Sequence, residues 1–120
     1  MTVSTHVLDA SAGRPAAGVS VTLSVMASGP GDGWLDVESG TTDADGRFRF
    51  GAPTPPGMYR LVFGTGRYFA DRAVATFYPE VTIAFTITEP GAGDPAAAHE
   101  AHFHVPLLLS PFAYSTYRGS

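Results

Sequence analysis

The chain is dominated by stretches in which apolar and polar residues alternate. Residues 19–26 place an apolar side chain at every second position, with Ser or Thr between most of them. Residues 81–88 repeat this pattern with Val, Ile and Phe against Thr and Ala. Because successive side chains of a strand point to opposite faces, this period of two predicts a half-buried β-strand over each stretch.

Shorter segments of the same character lie between clusters of Gly, Pro and Asp. Those clusters predict turns, the first of them from Gly13 to Pro15. The further strand candidates are 3–8, 34–39, 47–50, 58–63, 102–109 and 112–117. About eight short strands at this spacing predict a single all-β domain over residues 1–120, built as a two-sheet β-sandwich.

Two segments depart from the alternation. Residues 67–74 lack it, and Phe69 and Ala73 lie four positions apart, which predicts one short helix. Residues 89–99 are rich in Gly, Ala and Pro, which predicts a flexible loop before the last two strands.

The residue types missing from the chain narrow its chemistry. The sequence contains no Cys, Lys, Asn or Gln. This excludes disulfides, thiolate nucleophiles, Cys-based metal sites and Schiff-base lysine chemistry. Any reaction must use His, Arg, Asp, Glu, Ser, Thr, Tyr or the backbone, and we expect no cofactor.

Charge and hydropathy exclude further classes of protein. Seven Arg stand against eleven Asp and Glu, without any basic run, so a nucleic-acid partner is not expected. No stretch approaches ~18 apolar residues, and the opening Met-Thr-Val-Ser does not resemble a secretory signal. We therefore expect no membrane partner and a cytoplasmic location. Charged residues make up 15% of the chain, below the usual ~25%, and hydrophobic residues make up 44% before Gly is counted. A chain this small cannot bury so much apolar surface alone, which favours contacts between subunits.

Histidines cluster near the end of the chain. His102 and His104 lie two apart on a predicted strand, so both project from one side of the sheet. With His99 or His6 as a third ligand, the pair would resemble a zinc site. The other interpretation is a pair of exposed strand histidines. We predict no metal site and keep a zinc-dependent cyclic amidohydrolase as an alternative.

Two arginines follow a tight turn in the middle of the chain. Arg47 and Arg49 alternate with Phe48 and Phe50, so the two guanidinium groups leave the apolar face together. They come after Asp43-Ala44-Asp45-Gly46, a sequence that favours a type I turn. The turn is similar to part of a calcium-binding loop, but the Glu that such a loop needs downstream is absent.

The chain ends in Tyr-Ser-Thr-Tyr-Arg-Gly-Ser at 114–120, an aromatic segment that predicts a packed strand. This end resembles that of the 5-hydroxyisourate hydrolases, the transthyretin-related enzymes of purine catabolism. The heptapeptide is the specific element of the resemblance, because transthyretins proper lack it. Further segments that match the family in order are 4–9, 14–16, 45–47, 68–69, 77–80 and 104–111.

The resemblance implies a transthyretin-like sandwich whose edge strands pair into dimers. Two dimers would form a homotetramer with active sites at the interface between the dimers. It further implies hydrolysis of a small molecule, 5-hydroxyisourate, by attack of water on a cyclic amide carbonyl. The matching catalytic residues are His6, Arg47 and His104, and the matching substrate-binding residues are Ser120, Tyr117 and Arg118.

The residue inventory fits a direct attack by water, since the chain has neither a thiol nor a lysine. His is the side chain whose ordinary pKa suits a base near pH 7. We expect His104 to be the base and His6 to orient the water or protonate the leaving nitrogen, with exchange of these two roles left open. Arg47 would stabilise the oxyanion, with Arg49 as a weaker candidate, and His102 would support the site. The non-enzymatic alternatives are a transthyretin-like carrier of a small aromatic ligand and a structural β-sandwich module.

Overall fold

The computed structural model describes residues 1–27, 33–89 and 102–119. Every one of the eight predicted strands is present, and the predicted two-sheet sandwich with one short helix is confirmed. The elements are β1 (Thr2–Asp9), β2 (Arg14–Pro15), β3 (Ser20–Met26), β4 (Trp34–Thr41), β5 (Arg47–Arg49), β6 (Gly57–Phe63), α1 (Thr65–Ala70), β7 (Val81–Ile87), β8 (His102–Ser110) and β9 (Ala113–Thr116).

The strands form two sheets. The first sheet has the order β2-β1-β8-β9, and β5 also pairs with β1. The second sheet has the order β4-β3-β6-β7. Strands β1 and β8 are parallel, whereas the other neighbours are antiparallel. The first sheet therefore places the start of the chain beside its end.

The core lies between the sheets, where the alternation along each strand directs the apolar side chains. Strand β1 buries every second residue from Val3 to Asp9 and leaves Thr2, Ser4 and His6 on the outer side. Full burial of a large apolar side chain contributes roughly 1.5–3 kcal/mol to folding. The largest fully buried side chains include Tyr59, Phe50, Phe63, Phe69, Leu23, Leu61 and Ile87.

Two details differ from the sequence prediction. Strand β2 lies at the end of the predicted turn from Gly13 to Pro15, because two residues are too short to show a period. The helix predicted over 67–74 begins earlier, at Thr65, and ends at Ala70. Ala73 is exposed and has φ 55°, a left-handed conformation that a right-handed helix excludes. The predicted loop at 89–99 falls, from residue 90 on, outside the described residues.

The end of the chain is ordered as a strand, but its side chains are exposed. Strand β9 pairs with β8 from Leu107 to Ser110. Phe112, Tyr114 and Tyr117 nevertheless have 67%, 41% and 59% of their surface accessible. The predicted packing of the terminus thus holds for the backbone of a single chain and not for its aromatic side chains.

A buried carboxylate at the end of β1 links the first sheet to the helix. Asp9 accepts a hydrogen bond of 2.8 Å from the Tyr68 hydroxyl, and its other oxygen accepts from Ser11 and from the Ala12 N–H. Burial alone would raise the pKa of Asp9, but these hydrogen bonds outweigh it and the pKa is lowered. Within the three described ranges, no helix is long and apolar enough to cross a membrane.

We predict that Tyr68→Phe destabilises the fold, because it removes a hydrogen bond to a buried carboxylate. The expected loss is about 1–3 kcal/mol of unfolding free energy, measured by urea denaturation at fixed protein concentration. The matched control is Tyr114→Phe, which removes an exposed hydroxyl and should change stability by less than about 0.5 kcal/mol. Equal stability of wild type and Tyr68→Phe would contradict this role of Asp9.

Candidate active site

The parallel pairing of β1 with β8 aligns polar side chains on the outer face of the first sheet. Thr2 lies opposite His102, and Ser4 lies opposite His104. The buried partners Val3 and Phe103 occupy the alternate positions and point into the core. Since the side-chain period of a strand is two, the hydroxyls and the imidazoles all project from the same outer face.

Strand β5 brings two guanidinium groups to the same face from the other side of β1. Arg47 is paired with His6, and Arg49 is paired with Ser4. The turn before β5 sets this register, because one carboxylate oxygen of Asp43 accepts the backbone N–H groups of Asp45 and Arg47, each at 2.9 Å. The hydrogen bond from the Arg47 N–H is the main reason why the pKa of Asp43 is lowered.

Gly46 closes this turn against β1. It has φ 76°, and its carbonyl accepts a 2.7 Å hydrogen bond from the Val7 N–H. A Cβ at this position would lie 2.4 Å from the Val7 carbonyl oxygen. Only glycine fits both the conformation and the space, so the Asp-Gly turn predicted from sequence fixes where Arg47 begins.

These residues surround a cavity of about 430 Å³ on the outer face of the first sheet. That volume lies within the range of small-molecule sites, ~300–1,000 Å³. Most of the residues that line it have polar or charged side chains, and they include Ser4, Asp43, Arg47, Arg49, His102 and His104. His6 is beside this lining, as the pairing partner of Arg47. The structure thus places the three residues predicted to be catalytic on one outer face, with Arg47 and His104 lining the cavity.

Two hydroxyl groups connect the imidazoles. The Ser4 hydroxyl lies 2.7 Å from Nε2 of His102 and 2.8 Å from Nδ1 of His104. The Thr2 hydroxyl lies 2.5 Å from Nδ1 of His102. Neither Thr2 nor Ser4 was predicted from the sequence to be a site residue. Their period-two spacing with His6 was the available signal, but it does not reveal which distant strand lies alongside.

The electrostatics of the site favour the neutral form of both imidazoles. Burial lowers the pKa of His104, and the nearby His102, His6 and Arg47 lower it further; these effects outweigh a hydrogen bond to the Ser4 backbone, which raises the pKa. Burial likewise lowers the pKa of His102, with a second contribution from Arg49. A neutral imidazole keeps one nitrogen free to accept a proton. The arrangement therefore supplies a base beside a cationic hydrogen-bond donor.

The end of the chain approaches His104 through its backbone. The Gly119 N–H donates a 2.8 Å hydrogen bond to the His104 carbonyl. A Cβ on Gly119 would lie 2.5 Å from Cδ2 of the His104 ring. The imidazole therefore packs directly against the glycine of the Tyr-Arg-Gly-Ser end.

Tyr117 and Arg118 line a second cavity of about 230 Å³. Its other lining residues are mostly apolar, and the Arg118 guanidinium lies 4.6 Å from the centre of the Phe103 ring. His104 lines both cavities. Within one chain, the structure therefore does not place Tyr117 and Arg118 in the cavity of Arg47. Ser120 lies outside the described residues.

The zinc and calcium alternatives can be compared with the part of the chain that the structure describes. No group of three His, Asp or Glu side chains in that part could hold a metal ion. His99, a ligand in the zinc alternative, lies outside the described residues. A calcium loop would use an Asp43 oxygen as a ligand, but here that oxygen accepts hydrogen bonds from two backbone N–H groups.

The chain is similar to known proteins both in sequence and in structure. The chain is 43% identical over 122 residues to a Mus musculus protein named 5-hydroxyisourate hydrolase, covering 98% of this chain and 94% of that one. Among solved structures, Klebsiella pneumoniae 5-hydroxyisourate hydrolase superposes with a TM-score of 0.78 at 39% identity, covering 100% of both chains.

Sea bream transthyretin in complex with thyroxine superposes with a TM-score of 0.82 at 29% identity, covering 98% of this chain and 93% of that one. The family model described as HIUase/Transthyretin family matches residues 3–119. A match over nearly the whole length, together with relatives at this identity, shows that the chain belongs to the HIUase/Transthyretin family.

Proposed function

We propose that the cavity on the outer face of the first sheet hydrolyses 5-hydroxyisourate, with His104 as the base and Arg47 as the electrophilic donor. The activity is that of the relatives, the hydrolysis of a cyclic amide in uric acid degradation. The observation that carries the assignment to this cavity is the convergence of His104, His6 and Arg47 on one face.

The proposed reaction begins with a water molecule held between His104 and the substrate. As the water oxygen attacks the ring carbonyl, the imidazole of His104 takes one water proton. The carbon–nitrogen bond of the ring then breaks, and the leaving nitrogen receives a proton from His104 or from His6. The products are an opened ring with a carboxylate and a free ureido nitrogen. General acid–base assistance of this kind is worth on the order of 10²–10⁴-fold in rate.

Arg47 supplies the positive charge for the transition state. Its guanidinium can donate two parallel hydrogen bonds to the carbonyl oxygens of the substrate. As negative charge develops on the attacked oxygen, these bonds strengthen. The turn at Asp43 and Gly46 holds the backbone of Arg47 in place, which limits the reorganisation needed during reaction. No step of this scheme requires a cofactor.

The complete site is proposed to form in a homotetramer, at the interface between two dimers. Exposed aromatic side chains near the C-terminus, Phe112, Tyr114 and Tyr117, support contacts between copies of the chain. In such an assembly, Ser120, Tyr117 and Arg118 are proposed to close the site and contact the substrate. We propose a cytoplasmic location for the assembly, which cell fractionation would test.

A carrier function is the main alternative, because transthyretin shares the fold. The fold does not distinguish the two classes, since the TM-scores are 0.82 and 0.78. The cavity chemistry favours the enzyme. A carrier of an apolar aromatic ligand gains nothing from two guanidiniums and two hydrogen-bonded imidazoles in its site, because desolvating charged groups is costly.

We predict that His104→Ala and Arg47→Ala each lower turnover at least ~100-fold, because each removes a group used in the transition state. The measurement is the decay in absorbance of freshly generated 5-hydroxyisourate, against a buffer blank. The matched control is Arg67→Ala, whose exposed side chain pairs only with Asp71 in the described part of the chain. Size-exclusion chromatography of each variant checks the assembly.

Near-normal turnover of either variant would remove the corresponding assignment. The same assay in the presence of a chelator distinguishes the scheme above from the zinc alternative. Unchanged activity supports the scheme above, whereas loss of activity together with stoichiometric zinc in the purified protein would favour a zinc-dependent amidohydrolase.

We predict that kcat/KM falls at acid pH with a midpoint below 6.5, the ordinary pKa of histidine. The base must be neutral, and burial with neighbouring positive groups lowers the pKa of His104, so the enzyme stays active at pH values where an exposed histidine would be protonated. A pH–rate profile measures this. A midpoint at or above 6.5 would contradict the proposed environment of the base.

We predict that Gly119→Ala reduces kcat because its Cβ would displace the His104 ring. A displacement near 1 Å at a catalytic group can cost about 10²-fold. Gly51→Ala is the matched control, since a Cβ there meets no atom within 4 Å. Unchanged kcat in Gly119→Ala would show that the position of the imidazole does not depend on this contact.

A further inference from the structure

Four side chains on the outer face of the first sheet form an unbroken series of hydrogen bonds. The series runs from Thr2 to His102, from His102 to Ser4, and from Ser4 to His104, with distances of 2.5, 2.7 and 2.8 Å. Its members alternate between β1 and β8, because the parallel register sets each hydroxyl level with one ring. Only His104 of the series has a role in the scheme proposed above.

We infer that Ser4 is a positioning residue that, supported by Thr2 through His102, fixes the tautomer of His104. The inference rests on the proposed function, in which His104 is the base. The Ser4 hydroxyl touches the base, His104, and does not touch the reacting atoms.

The number of hydrogens available limits the directions in which these hydrogen bonds can run. The Ser4 hydroxyl has one hydrogen to donate and lone pairs to accept. Placed between Nε2 of His102 and Nδ1 of His104, it donates to one ring and accepts from the other. The Thr2 hydroxyl occupies the remaining nitrogen of His102. With both rings neutral, the hydrogen bonds of the series can therefore run in only two directions.

The two directions give His104 opposite chemistry. In the first, Nδ1–H of His104 donates to Ser4, Ser4 donates to Nε2 of His102, and Nδ1–H of His102 donates to Thr2. Nε2 of His104 then carries a lone pair and can accept a proton from water. In the second direction every bond is reversed, and Nε2 of His104 carries a hydrogen and cannot act as a base.

Several features of the site support the first direction. It requires both rings to be neutral, and burial opposes the charged form of each. In the described part of the chain, the charged and titratable groups beside the pair on the outer face are His6 from β1, Arg47 and Arg49 from β5, and Asp43 from the preceding turn. Tyr117 and Arg118 share the second cavity with His104. The guanidinium groups further disfavour a positive charge on the rings. Because His104 and Arg47 line the same cavity, a lone pair on Nε2 of His104 is electrostatically favoured over an N–H dipole there.

His102 also has a role in this series of hydrogen bonds. Its Nε2 must accept a hydrogen bond from Ser4, so its hydrogen must lie on Nδ1. The Thr2 hydroxyl accepts the hydrogen bond from this Nδ1–H. Without Thr2, His102 would be free to place its hydrogen on Nε2 and reverse the series. The effect of Thr2 on His104 should therefore be smaller than that of Ser4 and should have the same sign.

The test uses the full-length protein and four variants. Ser4→Ala removes the hydroxyl, and Ser4→Thr keeps it. Thr2→Val removes the hydroxyl at the end of the series with little change of shape. Ser39→Ala is the matched control, because it removes a strand serine hydroxyl that bonds to Thr22 on the second sheet.

Ser4→Ala should lower kcat by ~10–100-fold, as does the loss of a hydrogen-bond partner that orients a metal-bound histidine, with KM changed less than about twofold. Ser4→Thr should recover most of kcat, Thr2→Val should lower it by a smaller factor than Ser4→Ala, and Ser39→Ala should leave it unchanged. A simple loss of fold would instead lower the amount of active protein and would appear in thermal denaturation.

Long-range proton–nitrogen NMR of histidine-labelled protein reads the tautomer without reference to activity. In wild type, His104 should carry its hydrogen on Nδ1 at neutral pH, and Ser4→Ala should give a mixture of tautomers. A wild-type His104 with its hydrogen on Nε2, or full kcat in Ser4→Ala, would overturn the inference. If His104→Ala keeps its activity while the tautomer shift is seen, the proposed function fails and the positioning by Ser4 stands.

Discussion

The structure depends on the parallel pairing of β1 with β8. Eight consecutive residue pairs, from Thr2 opposite His102 to Asp9 opposite Leu109, join segments about one hundred positions apart in the chain. On the inner side this pairing packs Val3, Val7 and Leu107 into the core. On the outer side it aligns hydroxyl groups with imidazoles. A shift of one residue would turn every one of these side chains to the other face, so the hydrophobic core also fixes the register of the site.

The remaining parts of the site are attached to this pair of strands. The Asp43 turn and β5 bring guanidinium groups to one side of β1, and the chain end brings Gly119 against the His104 ring. Each attachment is made by backbone hydrogen bonds or by a close approach that only glycine permits. The polar groups are therefore held by elements of the fold rather than by mobile loops, which is the condition for a preorganised site. In the single chain, the outer-face residues Thr2, Ser4 and His6 are only partly buried.

Much of the fold could be predicted from the sequence, because its strands alternate strongly. The stretches around Val21 and Ile83 show a period of two, and the structure confirms both as strands. The sequence does not predict strand β2, because two residues show no period. It predicts the helix too far along the chain, because Ala73 has the spacing of a helical residue but a left-handed conformation. Local patterns could not correct either error.

The site was predictable only in part. His104 and Arg47 were identified through the resemblance of the sequence to a family, and the pairing of Arg47 with His6 agrees with their assignment to one site. Ser4 and Thr2 could not be identified, since their importance comes from the register of two distant strands. The position of Arg118 over Phe103 was also unforeseen, because the direction of a side chain near the chain end depends on how that end pairs with β8.

The most direct measurement of the central claim is a crystal structure of the protein with uric acid, which carries ring carbonyls like those of the substrate. We expect the ring to lie on the outer face of the first sheet, with a carbonyl oxygen hydrogen-bonded to Arg47 and the ring within reach of Nε2 of His104. A ring bound instead in the second cavity, against Phe103 and without contact to Arg47, would contradict the account.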